Sequence, residues 1–310
     1  MKRLIGRYTE GREGPLLVVI GGMHGNEPAG VYAMESLIQL LELEKDNNPT
    51  FEFSGSIVGF RGNLQAIEKS KRFIERDLNR SWINERVKEI ETTDGNTLLA
   101  EDKELYELLD SIRAEIKSSG AKEVCVLDIH TTTVSGGIFS IPNGSEKSLR
   151  LAKAMQAPVI LGMIDGIKGT SLHYFNQENW DIDMTSVVFE AGQHEETLST
   201  NRAISAIVSC MRELGNVCGT DVESHHDQIL KQYAEGLPEV TRLIYTHSIA
   251  TDDAFKMQPG FLNFQSIDSG TLLAHDKSGP IHAAQSGIML MPLYQAQGED
   301  GFFLIEEVKD

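Results

Sequence analysis

Short apolar runs of strand length recur along the chain at residues 16–20, 56–60, 123–129, 158–163 and 186–190. Helical patterns fill the intervals, notably at 28–41, 98–118, 145–155 and 195–214. The strand runs are continuous rather than alternating. A strand that is apolar at every position has both faces covered, so the pattern predicts an α/β fold: a mostly parallel sheet with helices on both faces. In such sheets ligands gather outside the carboxyl ends of the strands.

The pattern changes after residue 215. Gly215, Cys218-Gly219-Thr220, one short polar helix and Gly236-Leu237-Pro238 follow one another. Beyond them the apolar pieces are brief and punctuated by glycine and proline: Arg242-Leu243-Ile244-Tyr245, Gly270-Thr271-Leu272-Leu273, Gly287-Ile288-Met289-Leu290-Met291 and Gly301-Phe302-Phe303-Leu304-Ile305. The expected organisation is a first domain over 1–220, a linker helix over 221–240 and a small all-β C-terminal domain over 241–310. No internal repeat, heptad or low-complexity tract interrupts it.

Composition narrows the class. The chain has 310 residues and a formal net charge of -18, which argues against a nucleic-acid partner, since that needs a basic footprint. Positive charge is concentrated locally in Arg61, Lys69, Lys71, Arg72, Arg76, Arg80 and Arg86, a segment able to draw a small anion into a cleft. On charge alone a solvated helix face of mixed charge accounts for it better. No apolar stretch approaches the roughly 18 residues that cross a bilayer, and no membrane partner is expected. Met1 to Tyr8 carry basic residues with no apolar run behind them, so no secretory signal is expected. Three cysteines without ligand spacing read as reduced, mostly buried thiols of a cytoplasmic protein.

Chemistry collects at the ends of the predicted strands. Gly21-Gly22-Met23-His24-Gly25-Asn26-Glu27-Pro28 follows the run at 16–20, with Glu27 placed in the first helical turn beside Pro28. Asp128-Ile129-His130 closes the third run and Phe189-Glu190 the last. A histidine and a glutamate three residues apart at a strand mouth can reach one metal ion. Two histidines and one carboxylate with an open fourth position make a catalytic zinc site, and a further glutamate can serve as general base. The glycine-rich turn lacks the lysine of a P-loop and the spacing of a dinucleotide fingerprint, so a nucleotide is rejected. In Arg72-Phe73-Ile74-Glu75-Arg76-Asp77-Leu78-Asn79-Arg80, an Asn-Arg pair can grip a carboxylate, and Asp77 can hold the second nitrogen of a ligand histidine.

Taken together, His24-Gly25-Asn26-Glu27, Arg72 through Asp77-Leu78-Asn79-Arg80, Asp128-Ile129-His130-Thr131 and Glu190-Ala191-Gly192 resemble the succinylglutamate desuccinylase/aspartoacylase family of zinc hydrolases. The resemblance covers residues 15 to about 195, and a β-rich C-terminal domain also matches. It implies a zinc carboxypeptidase-like fold, with His24, Glu27 and His130 as zinc ligands and Glu190 as catalytic base. It further implies Arg72 at the scissile carbonyl and Asn79 and Arg80 on the substrate carboxylate; Asp128, like Asp77, is expected to support a ligand histidine from behind. Tyr294 is the match for a tyrosine that enters the family's active site from the C-terminal domain. The resemblance also allows a homo-oligomer.

Two departures stand out. The family's Gly-Asn-Pro reads Gly62-Asn63-Leu64 here. From Thr170 to Phe189 the chain has no arginine or lysine, where aspartoacylases place a substrate-binding arginine; Lys168 is the nearest cation. An acidic acyl group therefore does not follow. The expectation is a zinc-dependent amidohydrolase acting on a small anionic N-acyl amino acid. The alternatives are a short-peptide metallocarboxypeptidase and a non-catalytic carboxylate-binding protein of the same fold.

Overall fold

The computed structural model describes residues 1–95, 97–218, 225–250 and 252–308. The chain opens with β1 (Leu4–Thr9), β2 (Arg12–Gly21), α1 (Ala29–Asn47) and β3 (Ser54–Arg61). A short helix α2 (Leu64–Glu68), a 3-10 turn at Leu78–Arg80, α3 (Asn84–Thr92) and α4 (Ala100–Ser119) lead into β4 (Glu123–Thr132). There follow β5 (Phe139–Pro142), α5 (Glu146–Ala154), β6 (Val159–Leu161), α6 (Met163–Gly166), α7 (Ser171–Tyr174) and β7 (Asp183–Gln193). The remainder is α8 (Leu198–Leu214), α9 (His225–Ala234), β8 (Val240–Ser248), β9 (Lys256–Met257) and β10 (Ser266–Ile267). It ends with β11 (Leu272–Asp276), β12 (Gly279–His282), β13 (Gly287–Leu290) and β14 (Asp300–Glu307).

One large sheet runs in the order β1-β3-β2-β4-β7-β5-β6-β8-β14-β13-β10. Its centre, β3-β2-β4-β7, is parallel throughout, as the continuous apolar runs predict. The reason is visible strand by strand. Leu17 and Val19 of β2 pack with Cys125 and Leu127 of β4 against α1 and α8, while Leu16, Val18 and Ile20 pack with Val124 and Val126 against α3 and α4. Both faces are dry, so neither can be polar.

The sheet as a whole is mixed. β1 lies antiparallel to β3, β5 to β7, and β14, β13 and β10 continue antiparallel beyond β8. The C-terminal strands are β-structure as expected, but β8 pairs with β6, so the sheet runs on across residue 240. A second sheet of β12-β11-β9 adjoins it. β1 and β5 escape the sequence pattern for physical reasons. β1 is an edge strand with mostly half-exposed positions, and β5 has four residues ending in a proline. The apolar run at 158–163 yields only β6, because Met163 already begins α6.

A buried carboxylate fastens the segment between α2 and the 3-10 turn. Glu101, in the first turn of α4 and fully buried, accepts hydrogen bonds from the backbone N–H groups of Ile74 (2.6 Å), Glu75 (3.1 Å) and Arg76 (3.2 Å). The Asn63 amide supplies a fourth at 3.1 Å. An ionised acceptor holding several donors is among the stronger hydrogen-bonded arrangements in a protein. Glu101→Gln removes the charge and part of the acceptor capacity. Urea unfolding at pH 7 should show a loss of about 1.5–3 kcal/mol; a change within error would mean the loop is held elsewhere.

Candidate functional site

Three strand ends meet at one edge of the parallel sheet. His130 on β4 and Glu190 on β7 stand side by side as Cα partners in the ladder. Gly21, the last residue of β2, pairs with Ile129, so the turn after β2 emerges beside them. That turn is very tight. Gly22 has φ +71, and a Cβ on Gly25 would lie 2.0 Å from the carbonyl carbon of Ala66, so only glycine lets the loop pass beneath α2. The His24 carbonyl accepts the Glu27 N–H at 3.1 Å and closes the turn. Glu27 lies just outside the helix rather than in its first turn: Pro28 is the cap and α1 begins at Ala29.

Glu27 joins the two histidines. Its Oε1 lies 2.9 Å from His24 Nδ1 and its Oε2 lies 3.0 Å from His130 Nδ1; the Thr131 N–H also donates to Oε2 at 3.0 Å. The far nitrogens are held as well. His24 Nε2 is 3.0 Å from Asp77 Oδ1, and His130 Nε2 is 3.1 Å from Asp128 Oδ2. Asp128 and His130 share a strand face because they are two apart on β4, and Ser171 Oγ donates to the same Asp128 oxygen at 2.6 Å. His24, Glu27 and His130 are all buried, and their ligand-type atoms lie within 4.8 Å of one another, so the group can hold a metal ion. Two imidazoles and a carboxylate suit a divalent metal, and a carboxylate behind each ring is the usual support for a ligand histidine.

The electrostatics follow from burial and pairing. Burial alone would raise Glu27, but the two histidines hold its carboxyl well below the usual range. Burial likewise works against Asp77, and Arg72 and His24 keep it well below that range. Burial would lower His130; Asp128 and Glu27 instead hold its imidazole well above the ordinary value. Glu190 is the exception. Burial, with Glu27 adding to it against His130, pushes its carboxyl from 4.5 up to about 8, and its Oε2 has no hydrogen-bond partner among the described residues.

A cleft opens over this group, lined by His24, Glu27, Arg72, Asn79, Arg80, His130 and Glu190 among others. Arg72 reaches it while donating to Asp77 Oδ2 through Nε (3.1 Å) and Nη2 (2.8 Å), with Nη1 3.6 Å from Glu27. Asn79 accepts the Ser171 N–H at 2.9 Å and directs its amide towards His130 Nε2 at 3.4 Å. Arg80 donates to the Asn79 carbonyl at 2.8 Å and pairs with Asp300, the first residue of β14. Tyr294 does not join them. Its hydroxyl donates to the Gln258 carbonyl and accepts the Phe261 N–H, and it lies outside the cleft, which its neighbours Leu293 and Gln295 line. The expectation that it enters the site is corrected: the 258–261 loop claims the hydroxyl.

Several members of the site carry no signal in the sequence. Ser171 and Thr131 each bond twice into the site, Ser171 to Asn79 and Asp128 and Thr131 to Glu27 and His194. His194 lines the cleft, bonded to Thr131 Oγ1 at 2.7 Å, with its Nε2 lacking a partner among the described residues. Asp300 sits 220 residues from the arginine it pairs with. Only adjacency to His130 and Glu190 could have drawn notice to Thr131 and His194. In the departure at Gly62-Asn63-Leu64, Asn63 still caps α2, accepting the Ala66 N–H at 3.1 Å, so the missing proline leaves the turn intact.

Fold and site define a class: an α/β protein with a buried His-Glu-His group and a free-standing glutamate at the carboxyl ends of parallel strands. Comparison with known proteins makes the family explicit. Residues 13–244 match the model of the succinylglutamate desuccinylase/aspartoacylase catalytic domain, and the chain belongs to that family. A probable aspartoacylase from Nostoc sp. is 32% identical over 127 residues, which is 40% of this chain and 38% of the relative. An N-acyl-aromatic-L-amino acid amidohydrolase from Xenopus tropicalis is 23% identical across 83% of each chain. Matches such as the Nostoc one thus span well under half of the relative's length. Among solved structures, murine aminoacylase 3 has a TM-score of 0.63 at 19% identity, covering 96% of each chain, and a succinylglutamate desuccinylase/aspartoacylase from Rhodobacter sphaeroides has a TM-score of 0.64 at 15% identity, covering 96% of this chain and 87% of that one. At these identities the structural likeness speaks for the fold.

The raised Glu190 carboxyl has a consequence for the metal-free protein. Its value moves from 4.5 to about 8, so between those pH values the folded state keeps a proton that the unfolded chain releases. Stability therefore falls as pH rises through that window. Glu190→Gln abolishes this dependence. In the presence of a chelator, the variant's advantage in thermal unfolding should be negligible at the acid end, grow with pH and level off at the alkaline end. Parallel pH curves for the two proteins would contradict the assignment.

Proposed function

We propose that this protein is a zinc-dependent amidohydrolase that removes the acyl group from a small N-acyl amino acid, with the zinc carboxypeptidase-like arrangement of its family. The observation that carries the reading is the buried His24-Glu27-His130 group facing an unpartnered Glu190 within one cleft. A protein that only gripped a carboxylate would have no use for a second buried glutamate beside the first. The named relatives, aspartoacylases and N-acyl-aromatic-L-amino acid amidohydrolases, work on the same kind of bond.

His24 Nδ1, Glu27 and His130 Nδ1 would hold the zinc. Bound there, zinc supplies a Lewis acid that polarises the scissile carbonyl and brings the pKa of water to about 7. Glu190 takes a proton from the attacking water and passes it to the amine nitrogen as the C–N bond breaks. The acyl carbon leaves as a carboxylic acid and the nitrogen as a free amino acid. Burial suits Glu190 to this exchange, since a carboxyl raised towards neutrality can both accept and return a proton. Arg72, fixed by Asp77, places a guanidinium where negative charge develops on the carbonyl oxygen. Asn79 and Arg80 hold the substrate's carboxylate, Arg80 through the donors that Asn79 and Asp300 leave over.

The acidic net charge and the absence of any long apolar helix among the described residues support a water-phase substrate rather than a nucleic-acid or membrane partner. We place the protein in the cytoplasm, where buried thiols such as Cys125 and Cys210 stay reduced.

The test is a matched pair of variants on zinc-loaded protein. Glu190→Gln should keep one zinc per chain and lose about 10²–10⁴-fold in kcat on N-acyl amino acids. Arg72→Ala should lower kcat more than it raises KM, the mark of an interaction made in the transition state. A fall of less than about tenfold in Glu190→Gln would assign the base elsewhere.

A further inference from the structure

Resting on the amidohydrolase reading, we infer that Asp300 cancels the charge Arg80 would have to spare beyond the one carboxylate it holds, so that the substrate carries a single carboxylate and an apolar substituent, and a second carboxylate is rejected. Both arginines that line the cleft have carboxylate partners: Arg72 has Asp77 at 2.8 Å, and Arg80 has Asp300. The Arg80-Asp300 pair is well shielded, at 16% and 12% side-chain exposure. Glu299, next to Asp300, adds a further acidic group to the lining. No lysine lines the cleft among the described residues, and the stretch from Thr170 to Phe189 has neither lysine nor arginine.

What remains of the wall is apolar and continuous with a packed cluster. Val188 lies two residues before Glu190 on the same face of β7, and Ile141 of β5 is its ladder partner. These two, with Met163 and Leu172, belong to one hydrophobic cluster, against which Ile164 and Ile167 pack half-buried, and all of them line the cleft. A carboxylate laid against that wall would lose its hydration and find no free cation, which is a heavy penalty. A methylene chain or ring there would gain by leaving water. The substituent belongs either to the acyl group or to the amino acid side chain; both present the same apolar surface to the wall.

Two substrate arms distinguish these sources in zinc-loaded protein: N-hexanoylglycine against N-succinylglycine, and N-acetylleucine against N-acetylaspartate. In at least one arm the apolar member should exceed its carboxylate counterpart in kcat/KM by about tenfold or more. Asp300→Asn, near-isosteric with the native residue, should narrow that ratio by about tenfold by releasing the Arg80 charge. Calorimetric binding of the same compounds to Glu190→Gln reads the cleft without turnover. Preference for the apolar members there, with no hydrolysis by wild type, would leave the cleft assignment standing and remove the amidohydrolase. Equal or better handling of the carboxylate members in both arms, or binding of neither kind, would overturn the inference. An unchanged ratio in Asp300→Asn would overturn the role given to Asp300.

Discussion

The Glu27 carboxylate is the constraint on which the rest of the site depends. It is buried, and each of its oxygens meets a different histidine, one from the turn after β2 and one from β4. Burying an anion this deeply is tolerable only if cations and donors surround it. The surroundings supply them in layers: the histidines and the Thr131 N–H around Glu27, then Asp77 and Asp128 behind the rings, then Arg72 and Ser171 behind the aspartates. Each layer makes the next one affordable to bury.

That layering also explains the local backbone. His24 can meet His130 only if the β2–α1 turn folds back under α2, which requires glycine at 25. Arg72 can meet Asp77 only if the loop between them is held, and the loop's N–H groups close on Glu101 of α4. The site is therefore coupled to the packing of a helix on one face of the sheet. Glu190 stands apart from this network, with one oxygen unpartnered among the described residues. In a folded protein an unsatisfied buried group is costly, and it persists where chemistry uses it.

Much of this was legible in the sequence, and the reason is periodicity. The central strands are apolar at every position because both faces are packed, so their ends could be located, and the reactive residues sit at those ends. His24, Glu27, Asp77, Asp128, His130 and Glu190 lie together at that edge of the sheet. What could not be read depended on long-range placement. The edge strand β1 shows no apolar run, and the pairing of β8 with β6, which carries the C-terminal strands into the main sheet, leaves no trace in composition. Asp300 belongs to no sequence motif, and the arginine it pairs with is 220 residues away. Tyr294 was misplaced because a motif match says nothing about the loop that takes its hydroxyl.

The central claim is that Glu27 and the two histidines gather a zinc ion. X-ray absorption at the zinc edge on the purified, zinc-loaded protein tests it directly. The expected first shell is nitrogen and oxygen only, at about 2.0–2.2 Å, with the outer-shell scattering of two imidazole rings. That imidazole signature should halve in His130→Ala. A sulfur shell near 2.3 Å, or an oxygen-only shell with no imidazole scattering, would contradict it.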